Sequence, residues 1–295
     1  MESVAYWKII RVLTTNTCNF DCVFCHNEGQ VVKSTRQYLS LDDFVKIISA
    51  LRERPLSEIQ FSGGEPFLNP DTIKMIEWAH KNTDYEIGCA TNMSLLDYAL
   101  IKRLSKTRVT FNIQFPSSNI QNYNKITNSS YGDSILPKIL LLKDLGIKFK
   151  LNYVWLKENI ESLSNIIDFC LKQNYGLKIL PFISMKTLKY NYFRDLAINY
   201  ITPILGYPNI KAGGALRWVI SNGDEHIVIK YVDTPCFNND INKCKNYAEL
   251  RLLPNLQLQF CLLQTENITI SIKELNSPEL IINKIDLLWK NFSNC

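Results

Sequence analysis

The chain has 295 residues, of which 46% are hydrophobic and 21% are charged, as in an ordinary globular protein. Eleven glycines and eleven prolines exclude a collagen-like chain, and no apolar run is long enough to cross a bilayer. The net charge of +5 permits an anionic substrate, whereas no block of basic residues is typical of a nucleic-acid-binding arm. We therefore expect neither a nucleic-acid nor a membrane partner. The N-terminal residues lack the pattern of a secretion signal, so we expect a cytoplasmic protein.

The first two thirds of the chain alternate between strand-like and helix-like segments. The predicted strands cover residues 6–14, 58–61, 85–90, 108–113, 147–155 and 177–183. The predicted helices begin after Ser40 and then cover residues 71–80, 95–104, 134–145 and 160–174. Six β/α units predict an α/β fold with a parallel sheet, and six units rather than eight indicate a partial (β/α)6 barrel of TIM type.

The last third of the chain has a different pattern. Residues 186–210 are expected to form an irregular connector. Two β-hairpins are predicted after it, over residues 216–232 and 249–260, and a closing helix begins at Ser277-Pro278. We place a soft boundary near residue 212, so that residues 1–212 form the barrel and residues 213–295 form a second, hairpin-rich region.

Clustered cysteines are the first chemical signal. Disulfides are disfavoured in the cytosol, so grouped thiols indicate a metal or redox site. Cys18, Cys22 and Cys25 lie in the loop after the first predicted strand. Three thiolates at this spacing can hold three irons of a cubane cluster and leave the fourth iron open. The alternative is zinc with His26 as a fourth ligand, although adjacent residues seldom fit one tetrahedron.

A glycine-containing loop follows the second predicted strand. It consists of Gly63, Gly64, Glu65 and Pro66. Two glycines allow the backbone to approach a ligand closely, and Glu65 can accept a hydrogen bond from an ammonium group. The loop is expected at the carboxyl end of a parallel strand, where α/β folds place their sites.

Together these two motifs resemble the radical S-adenosylmethionine (SAM) superfamily. The segment CNFDCVFC, from Cys18 to Cys25, matches its CxxxCxxC signature, and the loop from Gly63 to Pro66 matches its SAM-binding motif. The resemblance implies a 4Fe–4S cluster on Cys18, Cys22 and Cys25 whose open iron chelates SAM. It further implies reductive cleavage of SAM to a 5′-deoxyadenosyl radical that removes a hydrogen atom from a substrate. An electron donor such as flavodoxin or ferredoxin is then required.

Nearly the whole chain is similar to the GTP 3′,8-cyclase family of molybdenum-cofactor biosynthesis and to related enzymes with a twitch or SPASM region. Similar segments are residues 25–29, 91–92, 123–127 and 150–157. The resemblance implies an auxiliary 4Fe–4S cluster on Cys236, Cys244 and Cys261. It also implies that Asn92 contacts SAM. The implied substrate-facing residues are Arg11, Lys157 and Arg251.

One further SAM contact is expected on the fourth predicted strand. Asn112 and Gln114 are the candidates there, and we take Asn112 as the residue that lines the barrel and contacts SAM.

Two departures from the cyclase pattern affect these expectations. Tyr247 occupies the place of the middle auxiliary cysteine, so Cys236 would have to supply that ligand from a longer loop. Glu249 replaces the first of two substrate arginines, and a carboxylate there would repel a triphosphate. We therefore expect an anionic small molecule or nucleotide other than GTP as the substrate. The alternative for the second cysteine group is three packed thiols or a zinc ion.

Two other functions remain open from the sequence. Radical SAM enzymes that modify ribosomally made peptides also carry twitch or SPASM clusters, although a peptide-recognition domain usually accompanies them. From a different class, the chain could be a non-catalytic iron–sulfur or zinc-binding module, which would not cleave SAM.

Overall fold

Twelve strands form one sheet in the computed structural model, which describes residues 6–30, 37–156, 159, 162–182, 190–210, 215–222, 225–232, 249–261 and 267–293. The strands are β1 (Ile9–Leu13), β2 (Glu58–Ser62), β3 (Glu86–Thr91), β4 (Val109–Gln114), β5 (Phe149–Trp155), β6 (Leu177–Pro181), β7 (Asn209–Ile210), β8 (Leu216–Asn222), β9 (Glu225–Tyr231), β10 (Glu249–Leu252), β11 (Gln257–Gln259) and β12 (Ile268–Thr269). Their order across the sheet is β12-β11-β10-β1-β2-β3-β4-β5-β6-β9-β8-β7.

Helices accompany the strands along the chain. Those within the described residues are α1 (Leu41–Ala50), α2 (Thr72–Asn82), α3 (Tyr98–Leu104), α4 (Ile120–Thr127), α5 (Gly132–Asp144), α6 (Leu163–Gln173), α7 (Tyr190–Leu205) and α8 (Pro278–Ser293). No helix of the described residues is long and apolar enough to cross a membrane.

Strands β1 to β6 are parallel neighbours in chain order, as the six predicted β/α units require. Side chains alternate between the two faces of each strand. In β1, Ile10 and Val12 are fully buried in the hydrophobic core, whereas Arg11 between them faces the other side. Among the described residues, the outer strands β12 and β7 each pair with one neighbour, so the sheet does not close. The prediction of a partial barrel is therefore confirmed.

Both predicted C-terminal hairpins are present, and each adds strands to one edge of the parallel sheet. β9 runs parallel to β6 and pairs with β8, whereas β10 runs parallel to β1 and pairs with β11. The predicted closing helix, α8, buries Ile281, Ile285 and Leu288. Residues from both sides of the expected boundary thus share one sheet, and the division near residue 212 stays a prediction.

Two helices were not predicted from the sequence. Residues 186–210 contain α7 rather than only an irregular connector, because Ala197 and Ile201 lie one turn apart and are fully buried. The short helix α4 lies between β4 and α5. Asn119 caps its amino-terminal end, because its side chain accepts a hydrogen bond from the backbone N–H of Asn122. α4 lies next to the loop that carries Cys18, Cys22 and Cys25, which we call the cysteine loop.

Candidate functional site

The cysteine loop begins where β1 ends and is bound to the end of α4. The backbone N–H of Val23 donates to the carbonyl of Ile126 at 3.0 Å, and that of Asp21 donates to the carbonyl of Thr127 at 3.3 Å. Within the loop, the N–H of Cys25 donates to the carbonyl of Cys22 at 2.9 Å. The sequence pattern predicted the loop, but its attachment to a helix depends on α4, which the pattern did not reveal.

The three thiols of this loop have nearby donors and raised pKa values. Backbone N–H groups of Phe20 and Asn27 lie 3.4 Å and 3.3 Å from the sulfurs of Cys18 and Cys25. Burial raises the pKa of Cys18 to about 11 and the pKa of Cys22 to about 12, and neighbouring thiols act in the same direction. A bound cation would lower these pKa values, because metal ions hold cysteine as the thiolate.

The glycine pair is required by close contact with the chain that leads into the cysteine loop. A Cβ atom on Gly64 would lie 1.9 Å from the carbonyl oxygen of Thr17, and one on Gly63 would lie 2.5 Å from that of Thr15. Gly63 also has a φ of 141°, which side chains rarely permit. The N–H of Gly64 donates to the carbonyl of Thr15 at 2.9 Å. The two motifs are therefore joined through their backbones.

Glu65 is buried and bridges this loop to the end of β3. Its carboxylate accepts hydrogen bonds from the hydroxyl of Thr91 at 2.7 Å and from the backbone N–H groups of Asn92 at 2.8 Å and Phe67 at 3.2 Å. Burial raises the pKa of Glu65 to about 7, although these bonds favour the charged form. The sequence predicts that Glu65 accepts a hydrogen bond from an ammonium group. That bond would use the carboxylate lone pairs that these three donors leave free.

Asn92, the residue expected to contact SAM, lies beside Cys18. Its amide nitrogen donates to the side-chain oxygen of Asn19 at 3.0 Å and lies 3.9 Å from the sulfur of Cys18. Ser94 in turn donates to the amide oxygen of Asn92 at 2.7 Å. Asn19 and Ser94 were not predicted, since only the fold brings the two loops together.

The donor set of the cysteine loop fits an iron–sulfur cluster. It consists of three soft thiols on one turn, with two backbone N–H groups and one amide directed at sulfur. Such hydrogen bonds to sulfur are a means by which proteins adjust cluster potentials. In the described part of the chain, no three His, Cys, Asp or Glu side chains converge as they would around a single metal ion.

Arg11 and Arg251 both lie in the barrel interior, but each is paired with carboxylates of this chain. Arg11 binds Glu249 through two hydrogen bonds of 2.6 Å and 2.7 Å. Arg251 donates to the carboxylate and the carbonyl of Glu28 at 2.8 Å each, and to Glu249 at 3.1 Å. Burial alone would raise the pKa of Glu28, but Arg11 and Arg251 hold it well below its usual range. This ion network links the segment after Cys25 to β10.

A row of cations faces the interior from the other side of the barrel. Lys178, Lys230 and Arg217 are register partners on β6, β9 and β8, and Asn152 on β5 continues the row. The amine of Lys178 donates to the side-chain oxygen of Asn112 at 2.5 Å, so Asn112 also faces the interior. Burial, together with the charges of neighbouring lysines, lowers the pKa of Lys178 to about 8.

Some buried polar atoms of this cation row lack a hydrogen-bond partner among the described residues. Within the described part of the chain, Nε of Arg217 and the side-chain oxygen of Asn152 are buried without a hydrogen-bond partner. Among the described residues, no ion pair joins a carboxylate to Lys178, Lys230 or Arg217. A basic residue in the middle of an apolar strand is the sequence pattern that marks this row.

The auxiliary cysteines are only partly described. Lys157, Cys236, Cys244 and Tyr247 lie outside the described residues. Cys261 follows β11, which runs antiparallel to β10, so it lies toward the amino-terminal ends of β10 and β1, whereas the cysteine loop follows the carboxyl end of β1. Strand direction thus places Cys261 and the first cysteine group at opposite ends of the strands.

Comparison with known proteins decides the family. The sequence model of the radical SAM superfamily matches residues 12–170, more than half of the chain. The chain belongs to the radical SAM superfamily. Membership implies a 4Fe–4S cluster and SAM, in agreement with the donor set around Cys18, Cys22 and Cys25.

Within the radical SAM superfamily, the chain is similar to two proteins described as probable GTP 3′,8-cyclases. That of Methanocaldococcus jannaschii is 27% identical over 278 residues, covering 92% of this chain and 90% of the relative. That of Methanococcus vannielii is 28% identical over 283 residues, covering 93% and 91%.

Solved radical SAM structures share the fold at low sequence identity. Streptococcus suis SuiB bound to S-adenosylmethionine has a TM-score of 0.72 at 13% identity, covering 97% of this chain and 68% of SuiB. SuiB has also been solved bound to the precursor peptide SuiA, with a TM-score of 0.71. The protein anSMEcpe with bound AdoMet has a TM-score of 0.62 at 13% identity, covering 97% and 86%.

Proposed function

We propose that this radical SAM protein is an enzyme that removes a hydrogen atom from an anionic small molecule or nucleotide. Cys18, Cys22 and Cys25 would hold the cluster, and the loop of Gly63, Gly64 and Glu65 would hold SAM together with Asn92. When bound, cluster and SAM supply a 5′-deoxyadenosyl radical from one donated electron. The chain's own residues bind and orient the substrate and exclude water from it.

The cation row of Lys178, Lys230 and Arg217 is the observation that supports an anionic substrate. Lys178 and Lys230 are partly buried, face the barrel interior and lack ion pairs among the described residues. Leaving a buried charge unpaired is costly, so a bound anion would stabilise the row. Arg217, whose Nε has no hydrogen-bond partner among the residues described, offers a further donor to a phosphate or carboxylate.

The ion network of Arg11 and Arg251 supports a substrate other than GTP. Glu249 occupies the guanidinium fork of Arg11 with two hydrogen bonds, so this fork is not free for a phosphate. Glu249 also accepts from Arg251. A triphosphate placed here would have to displace Glu249 and would meet its negative charge at short range.

An auxiliary 4Fe–4S cluster on Cys236, Cys244 and Cys261 is part of this proposal. The position of Cys261, at the opposite end of the strands from the cysteine loop, supports it. The interior charges would then lie between two clusters, where a substrate can be enclosed.

Peptide modification is the second candidate function. It is favoured by the structural likeness to SuiB, which binds the precursor peptide SuiA, and to anSMEcpe, which has been solved with bound peptides. For this function, a separate partner could supply the peptide-recognition domain. Co-purification with a small precursor peptide would favour this candidate, whereas a nucleotide retained in the barrel would favour the first.

The first experiment is anaerobic reconstitution with iron and sulfide, followed by reduction in the presence of SAM. We expect formation of 5′-deoxyadenosine by the wild type and its loss in Cys22→Ala. The control is Cys170→Ala, which removes a buried thiol in α6 and should retain the reaction. A reconstituted protein that leaves SAM intact would support the non-catalytic module instead.

Iron and sulfide counting tests the auxiliary cluster. We expect about eight irons per chain in the wild type if two 4Fe–4S clusters form. A variant in which Cys236, Cys244 and Cys261 are all replaced should lose half of them. Unchanged iron content would contradict the auxiliary cluster without affecting the first one.

The anionic substrate is tested with a panel of nucleotides and organic acids. An accepted compound should increase 5′-deoxyadenosine formation, and Lys178→Met should weaken its apparent affinity by tenfold or more. Lys172→Met, an exposed lysine of α6, provides the matched control. Equal effects of the two variants would contradict a binding role for the cation row.

A further inference from the structure

Tyr123 of α4 has a buried hydroxyl beside the cysteine loop. The residue is 1% exposed, and its oxygen makes no hydrogen bond to any residue that the structure describes. Leaving a buried hydroxyl unsatisfied costs about 1–3 kcal/mol, so native proteins normally provide a partner. The occupant of the adjacent site is therefore a candidate for the missing partner.

The surroundings of Tyr123 identify that site. Cys22 and Glu65 lie within electrostatic range of its hydroxyl, and both belong to the site described above. α4 is also attached to the cysteine loop by the backbone bond from Val23 to Ile126. Glu65 already accepts three hydrogen bonds and none comes from Tyr123, which leaves the sulfur side of the site for this donor.

We propose that Tyr123 is a positioning residue whose hydroxyl donates a hydrogen bond to the sulfur atoms of the cluster at Cys22 and thereby raises its reduction potential. The proposal rests on the proposed cluster at Cys18, Cys22 and Cys25. A donor to sulfur stabilises the more negative, reduced form of a cluster, so its removal makes reduction less favourable.

The test compares Tyr123→Phe with Tyr175→Phe in the reconstituted full-length protein. Tyr175 also has a buried hydroxyl without a partner, but it lies among Phe149 and Phe169, away from the cysteine loop. Each protein is titrated with dithionite without SAM while electron paramagnetic resonance follows the reduced cluster. We expect Tyr123→Phe to keep its iron and to lower the reduction equilibrium constant about tenfold, or about 59 mV for one electron. Tyr175→Phe should match the wild type.

A second variant keeps the test independent of folding. Fluorinated tyrosine at position 123 retains the ring but makes the hydroxyl a stronger donor, so it should shift the potential in the opposite direction. Equal potentials for the wild type and an iron-loaded Tyr123→Phe, a shift seen only with SAM, or equal shifts at Tyr123 and Tyr175 would overturn the proposal. Failure of the wild type to take up iron would instead show that the proposed cluster is wrong.

Discussion

Glu65 is buried between its own loop and the loop that follows β3. Its burial should make the free energy of unfolding depend on pH. Its pKa is raised by burial to about 7, above the ordinary value of about 4.5. A raised folded-state pKa contributes stability below pH 4.5 that is lost as pH rises through 7. Between pH 4.5 and pH 7, ionisation of Glu65 should therefore lower the free energy of unfolding of the iron-free protein by about 3 kcal/mol. Urea unfolding at pH 5 and pH 8 measures this loss.

Glu65→Gln should flatten this pH dependence while lowering stability overall. A glutamine NH2 group cannot accept from the N–H of Asn92, so one hydrogen bond is lost at every pH. Glu86→Gln is the control, because its side chain is exposed to water and should change the slope little. An unchanged slope in Glu65→Gln would contradict the assigned burial effect.

Arg251 is the most buried member of the ion network, and its removal should be costly. Its side chain is 6% exposed and it binds Glu28 and Glu249. Breaking a buried ion pair typically costs about 3–5 kcal/mol, so we expect a loss in this range for Arg251→Ala near pH 7. The loss should shrink on acidification below about pH 4.5, because the pKa of Glu28 is lowered in the folded protein and its contribution fades there.

Urea unfolding with a matched arginine variant checks this prediction. Arg103 forms an exposed pair with Glu77, and Arg103→Ala should cost less than about 1 kcal/mol. Similar costs for both variants would show that the network of Arg251 is not desolvated.

The sequence predicted those site residues that lie in short motifs. Cys18, Cys22 and Cys25, like Gly63 and Gly64, are close in the chain, and their spacing carries the chemistry. Glu28 and Lys178 were missed, because their roles depend on which distant strands become neighbours. The pairing of β10 with β1 places Arg251 against Glu28, and no local pattern contains this information.

Helix α8 stabilises the barrel through one apolar face packed against α1 and the start of β1. Leu288 is 1% exposed, whereas the adjacent Leu287 is 48% exposed. Leu288→Ala should lower the free energy of unfolding by about 2–5 kcal/mol, because it leaves a cavity in the core. Leu287→Ala should change it by no more than about 0.5 kcal/mol. Chemical unfolding monitored by circular dichroism distinguishes the two, and equal losses would contradict this packing.

Elements with strong periodicity were predicted, whereas weakly patterned helices were not. α1 has the capping residue Ser40 and a regular apolar face, and it was placed correctly. α4 is short and contains two asparagines, so its two buried apolar positions, Tyr123 and Ile126, gave too little periodicity. α7 includes Pro203, which argued against a helix although its core positions fit one.

The whole molecule depends on strands that come from both ends of the chain. A fragment of residues 1–212 would lack β9 beside β6 and β10 beside β1, and it would also lack α8. Both edges of the parallel sheet would then expose unpaired backbone groups, which favours association with other chains. The fragment should therefore aggregate or unfold without a cooperative transition. Gel filtration and thermal unfolding followed by near-ultraviolet circular dichroism test this, and the full chain is the reference. A monomeric fragment with a cooperative transition would show instead that the barrel folds alone and that the expected boundary near residue 212 separates two folding units.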